Sequence, residues 1–112
     1  MTERTAHESR RDDVIGTADG IAALWNVGLF TYDEAASAIE RYNARLHQFQ
    51  IGLGTTPDAD FTPADSAAIV AANRLGQLLA DAINELRSVS GDDVADAIRT
   101  WHAASEPLRI RD

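Results

Sequence analysis

Apolar residues return along this chain at intervals of three and four, the spacing of one face of an α-helix. In the first such run Val14, Ala18, Ile21 and Trp25 form a stripe, flanked by Ile15, Ala22 and Leu24. The spacing predicts a first helix over residues 6–27, or from residue 10 if Ser9 rather than Thr5 is its cap. Gly28 ends it, because glycine takes the left-handed conformation at no steric cost, and Leu29 is expected to fold back on the last turn. Phe30 stands just before Thr31, where a hydrophobic staple onto the next helix would sit.

The second run is the most regular. Ala35, Ile39, Tyr42, Leu46 and Phe49 step by four, three, four and three, which predicts a helix over residues 32–50. The link from the first helix is only about four residues, so the two are expected to form an antiparallel hairpin. Gly52, Gly54 and Pro57-Asp58 then predict a loop over residues 52–61. Thr62-Pro63 follows as an N-cap with proline in the first helical position, where its missing donor costs nothing.

From there Ala71, Leu75, Leu78, Ala82, Leu86 and Val89 form one apolar line, widened by Leu79 and Ile83. It predicts the longest helix, residues 63–89, roughly 40 Å at the usual rise. Beside it Ala64, Ala68, Ala72, Gly76 and Ala80 make a ridge of small residues that would let another backbone approach. Gly16 and Gly20 in the first helix offer the matching small surface. A fourth, shorter helix is expected over residues 92–104, burying Val94, Ala97, Ile98 and Trp101. Pro107 stops it, leaving a tail at residues 107–112 read as a frayed end with Leu108 against Trp101, or else as a short extended segment.

Four hydroxyl–acid pairs mark these starts: Thr5 with Glu8, Thr31 with Glu34, Thr62 with Asp65 and Ser90 with Asp93. A hydroxyl there accepts from first-turn amides, and the acid three positions on reaches back toward the cap and suits the helix dipole. Ser9, Ser37 and Thr55 have the same spacing to an acid, so the position before an apolar run carries the signal. The fold class expected is all-α: a single domain of four helices, with a helix 1–helix 2 hairpin packed on a long helix 3 and helix 4 closing one end.

Composition narrows the functional classes. With 112 residues and no Cys, the chain is long enough to bury roughly two thirds of its unfolded surface without a staple. Disulfides, thiolate metal sites and cysteine nucleophiles are excluded. No apolar stretch approaches the ~20 residues of a membrane span, and the first thirteen residues lack the apolar core of a signal peptide. A cytoplasmic protein without membrane attachment is expected. All ten basic residues are Arg, and Ala is abundant. That bias fits GC-rich coding and an actinobacterial or phage-derived origin, in which case the virion or host cytoplasm is the setting.

The net charge of −8 argues against direct nucleic-acid binding through a basic face. It leaves open an acidic mimic of nucleic acid that would block a basic partner protein.

No constellation carries chemistry. Asp58-Ala59-Asp60-Phe61-Thr62 fits the D-x-D-x-T pattern of the haloacid dehalogenase phosphotransferases, but no strand precedes it and the chain is too short for that fold. As a Ca²⁺ loop it would place Pro63 where glycine is needed and Ile69 where the bidentate Glu belongs. Gly52-Leu53-Gly54 lacks the strand a phosphate loop requires. His7, His47 and His102 share no helix face, and no Glu-x-x-His pair exists. No catalytic residue, metal site or cofactor is expected.

Polar and small positions on helix 3 are better candidates for contact with another chain. Asn73, Gln77 and Asn84 follow one another by four and seven, Gly76 and Ala80 lie in the small-residue ridge, and buried amides can fix helical register. Trp101 and His102 on helix 4 complete the candidate interface. The stretch from Leu24 to Ala35 (LWNVGLFTYDEA) resembles the helix–Gly–aliphatic–Thr–x–x–Glu hairpin of short bacterial oligomerisation motifs of the SHOCT type. It departs at Ala35, where that motif often carries a large aromatic. The resemblance implies protein–protein contact.

The expected function is therefore a small, acidic, non-enzymatic helical module that binds a protein partner or itself as a homo-oligomer. The alternatives are the nucleic-acid mimic and a small-ligand-binding helical domain with its pocket between helices.

Overall fold

Side-chain caps set where the helices begin. The computed structural model describes residues 6–55, 61–85 and 89–109. Within them α1 spans Ala6–Val27, α2 Tyr32–Thr55, α3 Pro63–Ile83 and α4 Gly91–Ser105, followed by a single 3₁₀ turn, Glu106–Leu108. No strand occurs among the described residues. Thr31 Oγ1 accepts from Glu34 N at 3.1 Å while Thr31 N donates to Glu34 Oε1 at 3.3 Å, a reciprocal capping box. Thr62 and Asp65 form the same box at α3, and Ser90 Oγ accepts from Asp93 N at 3.1 Å to open α4. Thr5, the partner proposed for Glu8, lies outside the described residues, as do Asp58 and Asp60.

The four helices pack into a body of 43 × 24 × 23 Å. α1 packs chiefly on α2, and α3 chiefly on α4. The apolar stripes meet in one core: Val14, Ile15, Ala18, Ile21 and Ala22 from α1, Ala35, Tyr42 and Phe49 from α2, Leu75, Leu78 and Leu79 from α3, Ala97 and Trp101 from α4. Each residue reaches it for the reason its spacing gives, since positions three and four apart share a helix face.

Four expectations need correction. α3 is not the longest helix. It stops at Ile83, where the Asn84 amide N–H bonds Ala80 O and Glu85 takes a left-handed φ of 55°, so α2 with 24 residues exceeds its 21. Val89 falls beyond α3 in the link to α4, and Leu86 lies outside the described residues. Gly52 and Gly54 do not begin a loop but lie in the last turns of α2. There Gly52 is buried, and a Cβ on it would come within 2.8 Å of Arg10 Nη1; the glycine gives the Arg10 side chain room to cross the helix. Gly16 and Gly20 do not meet the Ala64–Ala80 ridge; they are exposed, with no atom near enough to touch an added Cβ. The start of the tail is not frayed, because Arg109 ties it to α1.

Candidate interaction surface

Two of the seven candidate contact residues are internal. Trp101 is 1% exposed and part of the core, so it offers nothing to a partner; its indole Nε1 donates 2.8 Å to Asp19 Oδ1 on α1. Gly76 is also buried, and a Cβ on it would touch Ile21 Cδ1 at 3.9 Å. Ala80 is half-buried, while Asn73, Gln77, Asn84 and His102 are exposed. Three of these have internal tasks. Asn73 Oδ1 accepts from the buried Tyr42 hydroxyl at 2.7 Å, Gln77 Nε2 donates to Asp81 Oδ1 at 2.8 Å, and Asn84 Nδ2 donates to Ala80 O at 3.0 Å. Asn73 and Gln77 share a hollow with Arg74, Leu78 and Asp93, and His102 does not line it.

A different apolar surface stands at the end of the bundle that holds the C-terminus of α1 and the N-termini of α2 and α4. Gly28 (φ 75°) closes α1 with its N–H on Leu24 O at 3.0 Å. The chain leaves the helix at an angle that throws Leu29 outward. Leu29 is 84% exposed instead of folding back, and Val27 and Tyr32 beside it are 70% and 57% exposed. Phe30 turns inward and meets Trp25 edge to face, with ring centroids 5.6 Å apart.

On the other side of Trp25 a groove of about 480 Å³ runs between α1 and α4, lined by Trp25, Asn26, Val89, Val94, Ala95 and Ile98. Trp25 Nε1 is buried and has no hydrogen-bond partner among the described residues. No charged side chain lines this groove; Asp92 stands beside its Gly91 wall, whereas Asp93 lines a hollow over α3 with Arg74, and Asp33 and Glu34 one between α1 and α2 with Arg41. Asp92 and Asp93 stand exposed in the first turn of α4, and Asp33 and Glu34 in the first turn of α2. Neither α1 nor α3 carries a basic residue in its last turn.

Elsewhere the charges are occupied with holding the bundle. Arg109 Nη1 and Nη2 donate to Asp19 Oδ2 and Oδ1 at 2.8 and 2.9 Å, and Nη2 also reaches Ser105 Oγ at 2.9 Å. Burial alone would raise the Asp19 pKa. The hydrogen bonds from Arg109 and Trp101 and the nearby Arg109 and His102 charges outweigh it, and the carboxyl sits below its ordinary value. The same bonds raise the Arg109 pKa. At the other end of α1, Arg11 grips the buried Asp65 through Nε at 2.8 Å and Nη2 at 3.0 Å. Asp65 Oδ2 also accepts from Thr62 N, so one carboxylate both caps α3 and binds it to α1. Arg11 Nη2 lies 3.2 Å from His7 Nε2, to which it donates, and the His7 ring stacks on Phe49 at 5.0 Å. Between α3 and α4, Arg74 pairs with Asp96 at 2.8 Å, an exposed contact that lowers the Asp96 pKa.

An internal cavity beneath Trp101, bounded by Arg11, Val14, Phe49 and Leu108, holds only about 20 Å³ and is apolar. Among the described residues no three His, Asp or Glu side chains converge as metal ligands would. No helix there is long and apolar enough to cross a membrane.

The surface at Leu29 was partly visible in the sequence as an aliphatic residue directly after a helix-ending glycine. Capping rules alone cannot say whether such a residue folds back or stands clear, because that depends on whether the neighbouring helix leaves room. No protein-family model, curated protein or solved structure matches the chain. The likeness to the short oligomerisation hairpin therefore rests on the residues Leu24–Ala35 alone.

Proposed function

We propose that this protein is a small helical protein-interaction module that works through the apolar end formed by Val27, Leu29, Tyr32 and the Trp25–Val94–Ile98 groove. The observation that carries the reading is the exposure of three large apolar side chains within six residues, next to a groove that no charged side chain lines. Apolar surface gathered in one place and left to water is unfavourable in a free monomer, and covering it is the usual role of a partner. The two alternatives have less support. Asp19, Asp65 and Asp81 are engaged in hydrogen bonds or ion pairs within the bundle, and Asp96 pairs with Arg74 at its surface, which takes these carboxylates out of the continuous acidic face a nucleic-acid mimic needs. The cavity beneath Trp101 is smaller than any organic ligand, and the larger groove between α1 and α4 lies open to solvent instead of enclosing a volume.

A photoreactive amino acid in place of Leu29 tests this in producing cells. It should give a discrete protein adduct, whereas the same residue in place of the exposed Glu40 should not. Equal adducts from both positions, or none from Leu29, overturn the reading.

A further inference from the structure

Resting on that reading, we infer that the groove between α1 and α4 takes a cationic amphipathic helix of another protein rather than a second copy of this chain. The groove wall supplies the apolar half of the argument: Trp25, Val89, Val94 and Ile98 present aromatic and branched aliphatic surface, as helix-binding grooves do. Charge supplies the rest. Asp92 stands exposed next to Gly91 in the α4 turn that forms one wall, with Asp93 following it on the side toward α3; Asp33 and Glu34 lie farther off, in the hollow between α1 and α2. None of Asp33, Asp92 and Asp93 pairs with a basic side chain among the described residues.

A partner helix with Arg or Lys beside its apolar stripe would meet the carboxylates of the α4 turn at its rim, where opposite charge speeds encounter and selects the partner. A second copy would instead bring another net charge of −8 against the same rim, and like charges brought together disfavour association.

The probe is a synthetic amphipathic helix of about 18 residues, roughly 27 Å long, with a Leu stripe and Arg on its flanks. A second peptide keeps the Leu stripe and replaces every Arg by Glu. Both are titrated into the ¹⁵N-labelled full chain. The Arg peptide should shift the Trp25 indole N–H and the Gly91 amide resonances, and the Glu peptide should leave them in place. Binding should weaken roughly tenfold or more in high salt, as screening of rim charges requires, and by a similar factor in Leu29→Arg and Asp92→Arg. Asp13→Arg changes the net charge by the same amount about 18 Å back along α1, and it should bind within about twofold of the wild type.

If both peptides bind alike, or if Asp13→Arg weakens binding as much as Asp92→Arg, the charge selection is wrong. If neither binds, or if sedimentation shows a dimer that Leu29→Arg dissolves, the inference falls. A persisting Leu29 adduct would then leave the interaction reading standing without it.

Discussion

Arg109 holds Asp19 through two parallel hydrogen bonds of 2.8 and 2.9 Å, joining positions 90 residues apart. A guanidinium and a carboxylate matched in this way form a stronger contact than a single-point ion pair. Here the carboxylate also receives the Trp101 indole N–H. The pair therefore fixes α4 and the segment after it to α1 together.

Acid should undo this link. Asp19 has a lowered pKa in the folded protein, so its stabilising effect is complete above its unfolded pKa of about 3.9 and fades as pH falls through the lower folded value. Asp19→Asn removes the charge while keeping an acceptor for Trp101. At neutral pH the variant should melt below the wild type, and the gap should close progressively as the pH falls below about 4. A gap that stays constant across that range would mean the charge of Asp19 does not contribute.

Asp65→Ala should be among the most damaging single changes. It leaves the Arg11 guanidinium without its carboxylate and takes the acceptor from Thr62 N, a loss of about 3 kcal/mol. Asp65→Asn retains an oxygen for the cap and should lose distinctly less. Urea unfolding of the pair separates the two contributions, and equal losses would assign all of the effect to the charge.

Glycine positions divide by what surrounds them. Gly16 and Gly20 lie inside α1 with open space on their exposed side, so alanine at both should raise stability by about 1 kcal/mol each. The double variant should melt roughly 5–10 °C higher. Gly76 is buried against Ile21. Gly76→Leu should overpack the core by about 1–3 kcal/mol, while Asn84→Leu at the exposed end of α3 should stay within about 1 kcal/mol of the wild type. Unchanged melting of Gly76→Leu would place that face in solvent.

Much of the fold is written in the apolar spacing, because a stripe such as Ala35–Ile39–Tyr42–Leu46–Phe49 can be buried in only one orientation. The helix starts are equally legible, since Thr31, Thr62 and Ser90 act on amides within three residues. What was not legible depends on residues far apart. Gly52 lies within α2 and leaves room for Arg10 to cross it, a contact between residues 42 positions apart that no local rule gives. That the buried Trp101 indole finds its acceptor in Asp19, 82 positions earlier, is equally beyond local rules. The apolar spacing already counts Trp101 among the buried residues of helix 4; what fails is its pairing with His102 as a contact surface, since a step of about 100° around a helix separates a core side chain from a solvated one. The apolar end at Leu29 escaped for a related reason: local rules describe how a helix stops, and the packing of α2 decides where the next side chain goes.

The pairing of α1 with α2 and of α3 with α4 bears on how the chain reaches its folded state. Each pair joins sequence neighbours, so its closing loops are short and it can form early with little entropic penalty. The two halves must then dock in one register. Their apolar faces, rich in Ala and Leu, tolerate sliding by a turn, whereas Arg11–Asp65, Tyr42–Asn73 and Asp19–Arg109 each have a single geometry. These three polar ties act as the gauge of correct docking. In folding kinetics, variants at Asp65, Asn73 or Asp19 should chiefly speed unfolding and leave the folding rate nearly unchanged.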